Sequence, residues 1–144
     1  MTAYSSFGTL LQMGSVDGGG GSFTTLAQVL DLSGPEFSVD TEETTNQSSA
    51  GGYEEFIPTI KRSGNVSFDL LFDPNAATHE IASTGILYVM VNRKLRGYQL
   101  LMPTTAAKQW NFLGYVVGFS QANPVAGVQK ASITIKVSGQ PTIS

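Results

Sequence analysis

"NVSFDLLF", residues 65–72, alternates apolar and polar side chains with a period of two. In an extended chain Val66, Phe68, Leu70 and Phe72 share one side, so the stretch is a strand with one face in a core. The same alternation recurs on both sides of it. In "ASITIKVSG" (131–139) Ile133, Ile135 and Val137 alternate with Ser132, Thr134 and Lys136. In "TLAQVLDL" (25–32) Leu26, Leu30 and Leu32 are expected on one face, before the turn signal "SGP" at 33–35. In "EFSVDTEE" (36–43) Phe37 and Val39 oppose an acidic row of Glu36, Ser38, Asp40 and Glu42, which must face water or counter-ions. "GYQLLMP" (97–103) adds a strand. "QWNFLGYVVGFS" (109–120) puts Trp110 and Phe112 on one face and Leu113, Tyr115, Val117 and Phe119 on the other, which predicts a central strand covered twice, with Trp110 buried.

The period changes in "DPNAATHEIASTGILYVMVNRK", residues 73–94. Asp73 suits a helix N-cap and Pro74 the first helical position. Ile81, Tyr88 and Val91 are expected on one stripe, and "RKLR" (93–96) at the C-terminal end, where the helix dipole favours cations. The lone His79 reads as a capping or surface residue. The fold class is therefore α+β: mainly an antiparallel β-sandwich of six or seven strands with one flanking α-helix. Residues 1–22, ending in "VDGGGGS", read as a flexible N-terminal arm, and 23–144 as a single domain of a size that supports one core. The four glycines lack the preceding strand, following helix and lysine of a phosphate-binding loop.

Composition excludes several functions. No cysteine is present, so disulfides and thiolate metal sites are absent; one histidine makes neither a metal centre nor a catalytic triad. The acidic row has no apolar pocket to raise a carboxyl pKa, so no catalytic residue, metal or cofactor is assigned. The apolar run Ile86–Val91 is too short to cross a bilayer, and the first residues lack the pattern of a standard signal peptide, so membrane association is not expected. Charge is divided along the chain. Residues 1–60 carry eight carboxylates and no Lys or Arg, whereas 61–144 carry all eight basic residues and three carboxylates, giving −8 and +5. Unlike surfaces of this kind could bring copies together head to tail, or be two solvated faces of one monomer.

The segment "SSAGGYEEFIPTIKRSG" (48–64) is more apolar than a surface loop should be. Its small residues and glycines predict mobility. Yet Tyr53, Phe56 and Ile57 surround the acidic pair Glu54–Glu55, and such side chains need either a partner or the chain's own sandwich to cover them.

Several segments, in order, resemble the major tail tube proteins of long, non-contractile-tailed bacteriophages: "GGYEEFIP", "SGNVSFDLLFDP" leading into "THEIASTGILYVM", "QWNFLGYVVGF" and "ASITIKVSGQPT". The resemblance covers most of the chain from about Phe23 to Ile143; the acidic "DTEETTNQ" and the "GGGG" run depart from it. It implies a β-sandwich with a flanking helix, a long inter-strand loop at about Thr44–Ser63 and extended terminal arms that help to join rings. It implies a structural subunit that closes into hexameric rings, stacked into a tube whose lumen conducts viral DNA. Its partners would be further copies, a tape-measure protein in the lumen, and tail terminator and distal tail proteins, in a virion tail assembled in the bacterial cytoplasm. On this view Gly51, Gly52, Tyr53, Glu54, Glu55, Phe56, Ile57 and Pro58 form an assembly loop. Lys61, Arg62, Arg93, Lys94 and Arg96 are candidate inter-subunit cations, and Glu36, Asp40 and Glu42 candidate lumen-facing acids. Tube subunits of contractile tails and type VI secretion systems share this ring logic. A carbohydrate-binding β-sandwich would need an exposed aromatic platform instead.

Overall fold

A computed structural model describes residues 3–81 and 85–144 of the chain. The strands are β1 (Leu10–Asp17), β2 (Phe23–Thr25), β3 (Val29–Ser33), β4 (Phe37–Glu43), β5 (Phe56–Ser63), β6 (Asn65–Leu71), β7 (Arg96–Leu101), β8 (Gln109–Ala122) and β9 (Lys130–Ile143), with one helix, α1 (Ile86–Val91). Seven strands form one antiparallel sheet in the order β2-β1-β7-β8-β9-β6-β3, and β4 pairs only with β5.

That order forces the sheet to close on itself. β2 and β3 are its two edges, yet only Leu26, Ala27 and Gln28 separate them. A flat seven-stranded sheet would hold its edges about 29 Å apart at ~4.8 Å per strand. Four residue steps span at most about 14 Å. The sheet therefore doubles over into two layers, the sandwich expected from the alternation. β8 and β9, 14 residues each, carry register shifts at Asn111/Leu113 and Val116/Gly118, and bulges bend a strand where they occur.

The crossover is fastened from several sides. Leu26 is buried and its N–H donates to Leu11 O at 2.9 Å. The Ala27 N–H donates to Thr78 Oγ1 at 3.1 Å, and His79 Nε2 lies 2.7 Å from Ala27 O. The Asp73 N–H donates to His79 Nδ1 at 3.2 Å, so the ring proton sits on Nε2 and is given to Ala27. His79 is fully buried and stacked on Phe72, not the capping or surface residue expected. Only the closed sheet brings Ala27 to it.

Inside the sandwich, Val66, Phe68 and Leu70 of β6 meet Ile133, Ile135 and Val137 of β9, with Leu11, Tyr98, Phe112 and Val116 beyond them. Fully covering such side chains stabilises by roughly 1.5–3 kcal/mol each. Other expectations are corrected. Leu10–Asp17, expected within a flexible arm, is paired on both sides, and Leu11 and Met13 are buried. "GGGG" is the turn between β1 and β2; Gly18 to Gly21 all have φ between +74° and +100°, which side chains resist. At the other end β9 reaches Ile143, and Ser144 and Gln109 exchange backbone hydrogen bonds, so residues 130–144 are held in the sheet. Leu30 points outward, because a register shift in β3 turns Val29 and Leu32 inward instead.

The helix is shorter than expected. The expected helix from Asp73 crosses residues 82–84, outside those described; before them Asp73 Oδ1 accepts the Asn75 N–H in a turn rather than capping a helix. Its buried face is Ile86 and Val89, whereas Ile81 and Val91 are exposed. Arg93, with φ +54°, ends it: Arg93 N–H donates to Met90 O and Lys94 N–H to Val89 O, the pairing of a Schellman motif. Finally, β8 is covered on one side only. Leu113, Tyr115 and Val117 are exposed, and the bulge at Val116/Gly118 brings Phe119 to the inner face, against Phe72.

Candidate assembly interface

β4 and β5 form a hairpin that shares no ladder with the main sheet. Pairing Phe37 with Ser63, Val39 with Lys61, Thr41 with Pro58 and Glu43 with Phe56 puts Phe37, Val39, Lys61, Phe56 and Pro58 on one face. Pairing Ser38 with Arg62 and Glu42 with Ile57 puts Ile57 and Arg62 on the other, with Asp40. Large apolar side chains thus stand on both faces, and all are about half exposed: Phe56 53%, Ile57 49%, Ile60 59%, Phe37 53%, Val39 50%. The alternative that Phe56 and Ile57 fold back onto their own sandwich is not what the chain does. A lone two-stranded hairpin is marginal in water, so its apolar faces need cover from outside.

The connecting segment 44–55 is hydrogen-bonded throughout, where glycine content predicted mobility. Thr44 N–H donates to Glu55 O at 2.8 Å, Glu55 N–H to Thr45 Oγ1 at 2.8 Å, Asn46 N–H to Ser49 Oγ at 2.9 Å and Ser49 Oγ to Glu55 Oε2 at 3.1 Å. A 3-10 turn at Ala50–Gly52 follows. Gly51 has φ +65°, and a Cβ there would lie 3.1 Å from the Tyr53 ring, which packs across the turn and is 76% exposed. Glycine thus sets the direction of Tyr53.

At its base the hairpin is tied to the sandwich. Phe37 lies against Trp110 with ring centroids 5.4 Å apart, and Ser63 Oγ donates to Gly139 O at 2.9 Å. Trp110 is half-buried under this contact. A groove of about 560 Å³ opens here, lined by Phe37, Val39, Lys61, Trp110, Gln140 and Pro141.

The charged candidates separate into different environments. The register shift between Val39 and Thr41 leaves the expected acidic row intact, because two steps of β4 from Val39 to Thr41 oppose three of β5 from Lys61 to Pro58, so the extra residue lies in β5. Asp40 and Glu42 share one face of β4, continued by Glu36 just before the strand, and Phe37 and Val39 stand on the other. Asp40 is ion-paired to Arg62 at 2.8 Å. Among the cations, Arg96 is buried and bonds Asp17 at 2.9 Å and Gly14 O at 3.1 Å, so it is a framework residue and unavailable to a neighbour. Lys94 also reaches Asp17, at 3.2 Å. Lys61 and Arg93 are exposed and make no ion pair among the described residues. Part of the −8/+5 division is thus neutralised inside the monomer.

The hydrogen bond from Lys94, joined by the charges of Lys94 and Arg96, holds the Asp17 carboxyl below its usual 3.8. A depressed folded-state pKa stabilises above the unfolded value, and that contribution is lost as the pH falls through the folded one. Asp17→Asn is expected to lower Tm at neutral pH more than Asp40→Asn, because it strands the buried Arg96 guanidinium whereas Arg62 is exposed. Thermal scans should show the gap between wild type and Asp17→Asn closing below about pH 3.8.

No family model and no curated protein matches the sequence. The fold does match solved structures. A chain of the tail of an empty gene transfer agent particle, refined with helical and C6 symmetry, superposes with a TM-score of 0.76 at 15% identity over 99% of both chains. A chain of the sheath/tube terminator of the PVC extracellular contractile injection system gives 0.70 at 13% identity, covering 100% of this chain and 98% of that one. The SPP1 tail tube gives 0.63 at 13% identity over 94% and 75%. At these identities the likeness is one of fold.

Proposed function

We propose that the chain is a structural subunit of a phage-type tail tube, closing into hexameric rings that stack around a DNA-conducting lumen. The observation that carries this reading is the β4–β5 hairpin, apolar on both faces and left uncovered by its own sandwich. A surface that differs from the one it docks on makes a heterologous contact, and such contacts generate rings or helical stacks. The fold likeness to chains of tail and tube assemblies supports it across nearly the whole chain. Because that fold occurs both in the SPP1 tail tube and in a contractile injection system, the non-contractile assignment rests on the sequence segments alone. A tape-measure protein in the lumen, terminator and distal partners, and a place in the virion tail belong to the same reading.

A wall that passes DNA should offer few free cations, since each phosphate contact adds salt-dependent affinity. Of the three candidate acids, Asp40 is neutralised by Arg62, and Glu36 and Glu42 stand on the same side of the hairpin as Asp40. On that side both can line a lumen together. The reading is tested by electron microscopy of the purified protein at high concentration. Six-fold rings or tubes are expected, and monomers persisting under every condition would overturn it.

A further inference from the structure

The hairpin has a knob at its tip and a groove at its base, and the two match in chemistry. The knob is Tyr53, held outward over the Gly51–Gly52 turn and flanked by Glu54 and Glu55. The groove is lined by the touching pair Phe37 and Trp110, by Gln140 and Pro141, and by one cation without an ion pair among the described residues, Lys61. We propose that this groove is the socket for the hairpin tip of a second copy of the chain, with the Tyr53 ring packed on the Phe37–Trp110 pair and the acidic pair beside Lys61.

Geometry rules out the tip of the same chain. The seven residues of β4 separate base from tip by about 24 Å at ~3.4 Å per residue. The hydrogen bonds across segment 44–55 keep the tip from turning back. Socket and tip are different surfaces of one hairpin, so each copy can offer a tip to one neighbour and a socket to another, the head-to-tail arrangement that extends or closes an assembly. Aromatic burial supplies the attraction, since edge-to-face and offset contacts are favourable beyond their area. The charges are exposed, so they serve mainly to choose register and orientation. The sequence contained both parts, but Trp110 and Phe37 are 73 residues apart in numbering and only the fold sets one against the other.

The inference rests on the tube-subunit reading for the existence of a second copy, and the test separates the two. The chain has no cysteine, so single substitutions give unambiguous cross-links. Tyr53→Cys and Gln140→Cys proteins are mixed, brought to assembly conditions and oxidised. A disulfide-linked heterodimer is expected within the assembled material, with each variant alone remaining largely uncross-linked. Lys61→Glu in the Gln140→Cys partner should cut the yield at least tenfold at low salt, and Glu54→Lys with Glu55→Lys in the Tyr53→Cys partner should restore it. Rings or tubes that form without the cross-link overturn the socket while leaving the tube reading intact. A cross-link from Phe7→Cys in place of Tyr53→Cys also overturns it, by giving the socket to the exposed N-terminal segment. Absence of any oligomer overturns both.

Discussion

Phe56→Ala combined with Ile57→Ala is expected to abolish ring and tube formation while leaving the thermal unfolding of the monomer nearly unchanged. The two side chains lie on opposite faces of the hairpin, so the pair of substitutions strips both faces at once. Neither belongs to the buried core, and each is about half exposed in the monomer. Surface changes of this sort alter monomer stability by about 0.5 kcal/mol or less. On assembly each side chain can contribute roughly 1.5–3 kcal/mol if fully covered. The contact is repeated by every subunit of a ring, so losses that are modest per copy multiply into loss of the assembly. Sedimentation and microscopy read the assembly, and a thermal scan reads the monomer. Intact tubes would remove the hairpin from the interface. A large fall in monomer Tm would mean that the pair supports the monomer itself.

His79→Ala is expected to act in the opposite way, on the monomer first. The substitution removes a fully buried ring and leaves Ala27 O and the Asp73 N–H without their partner at the point where the doubled sheet is fastened. Stranded buried polar groups cost about 1–3 kcal/mol, and the cavity adds to that. A total of about 2–4 kcal/mol corresponds to a fall in Tm of roughly 8–15 °C for a domain of this size. Denaturant unfolding should show the midpoint moving with little change in slope if the folded state is otherwise kept. If the ring were only a surface cap, as its sequence context suggests, the shift would be a degree or two. Assembly of this variant below its Tm should persist, because the hairpin is untouched.

The strands were legible wherever one face is buried and the other solvated. β6 and β9 show this best: Val66, Phe68 and Leu70, like Ile133, Ile135 and Val137, are buried at every second position. Local alternation carries that information, because successive side chains of a strand point to opposite sides. The misreadings have definite causes. β8 is apolar on both sides, and a sequence cannot say whether the second side is covered by the chain or left for something else; Leu113, Tyr115 and Val117 turned out to be uncovered. β5 carries an extra residue opposite Asp40, which no periodicity announces, so Phe56 and Pro58 stand with Phe37 and Val39. His79 and Arg96 looked like surface residues because their partners, Ala27 at one and Asp17 and Gly14 at the other, are 52, 79 and 82 positions away.

The sequence by itself determined the β-rich class, most of the inward-facing residues of β6 and β9, and the presence of an apolar segment around Tyr53, Phe56 and Ile57 with no evident reason to be on a surface. These are properties of neighbouring residues, and neighbours suffice to express them. The tertiary structure alone decided that β2 and β3 meet through a three-residue crossover, that Arg96 and Asp17 cancel within the monomer, and that Trp110 and Phe37 open a groove at the hairpin base. Each of these depends on which distant segments are brought together when the sheet doubles over. Burial and charge pairing are properties of that closure, so they stay undetermined until it forms.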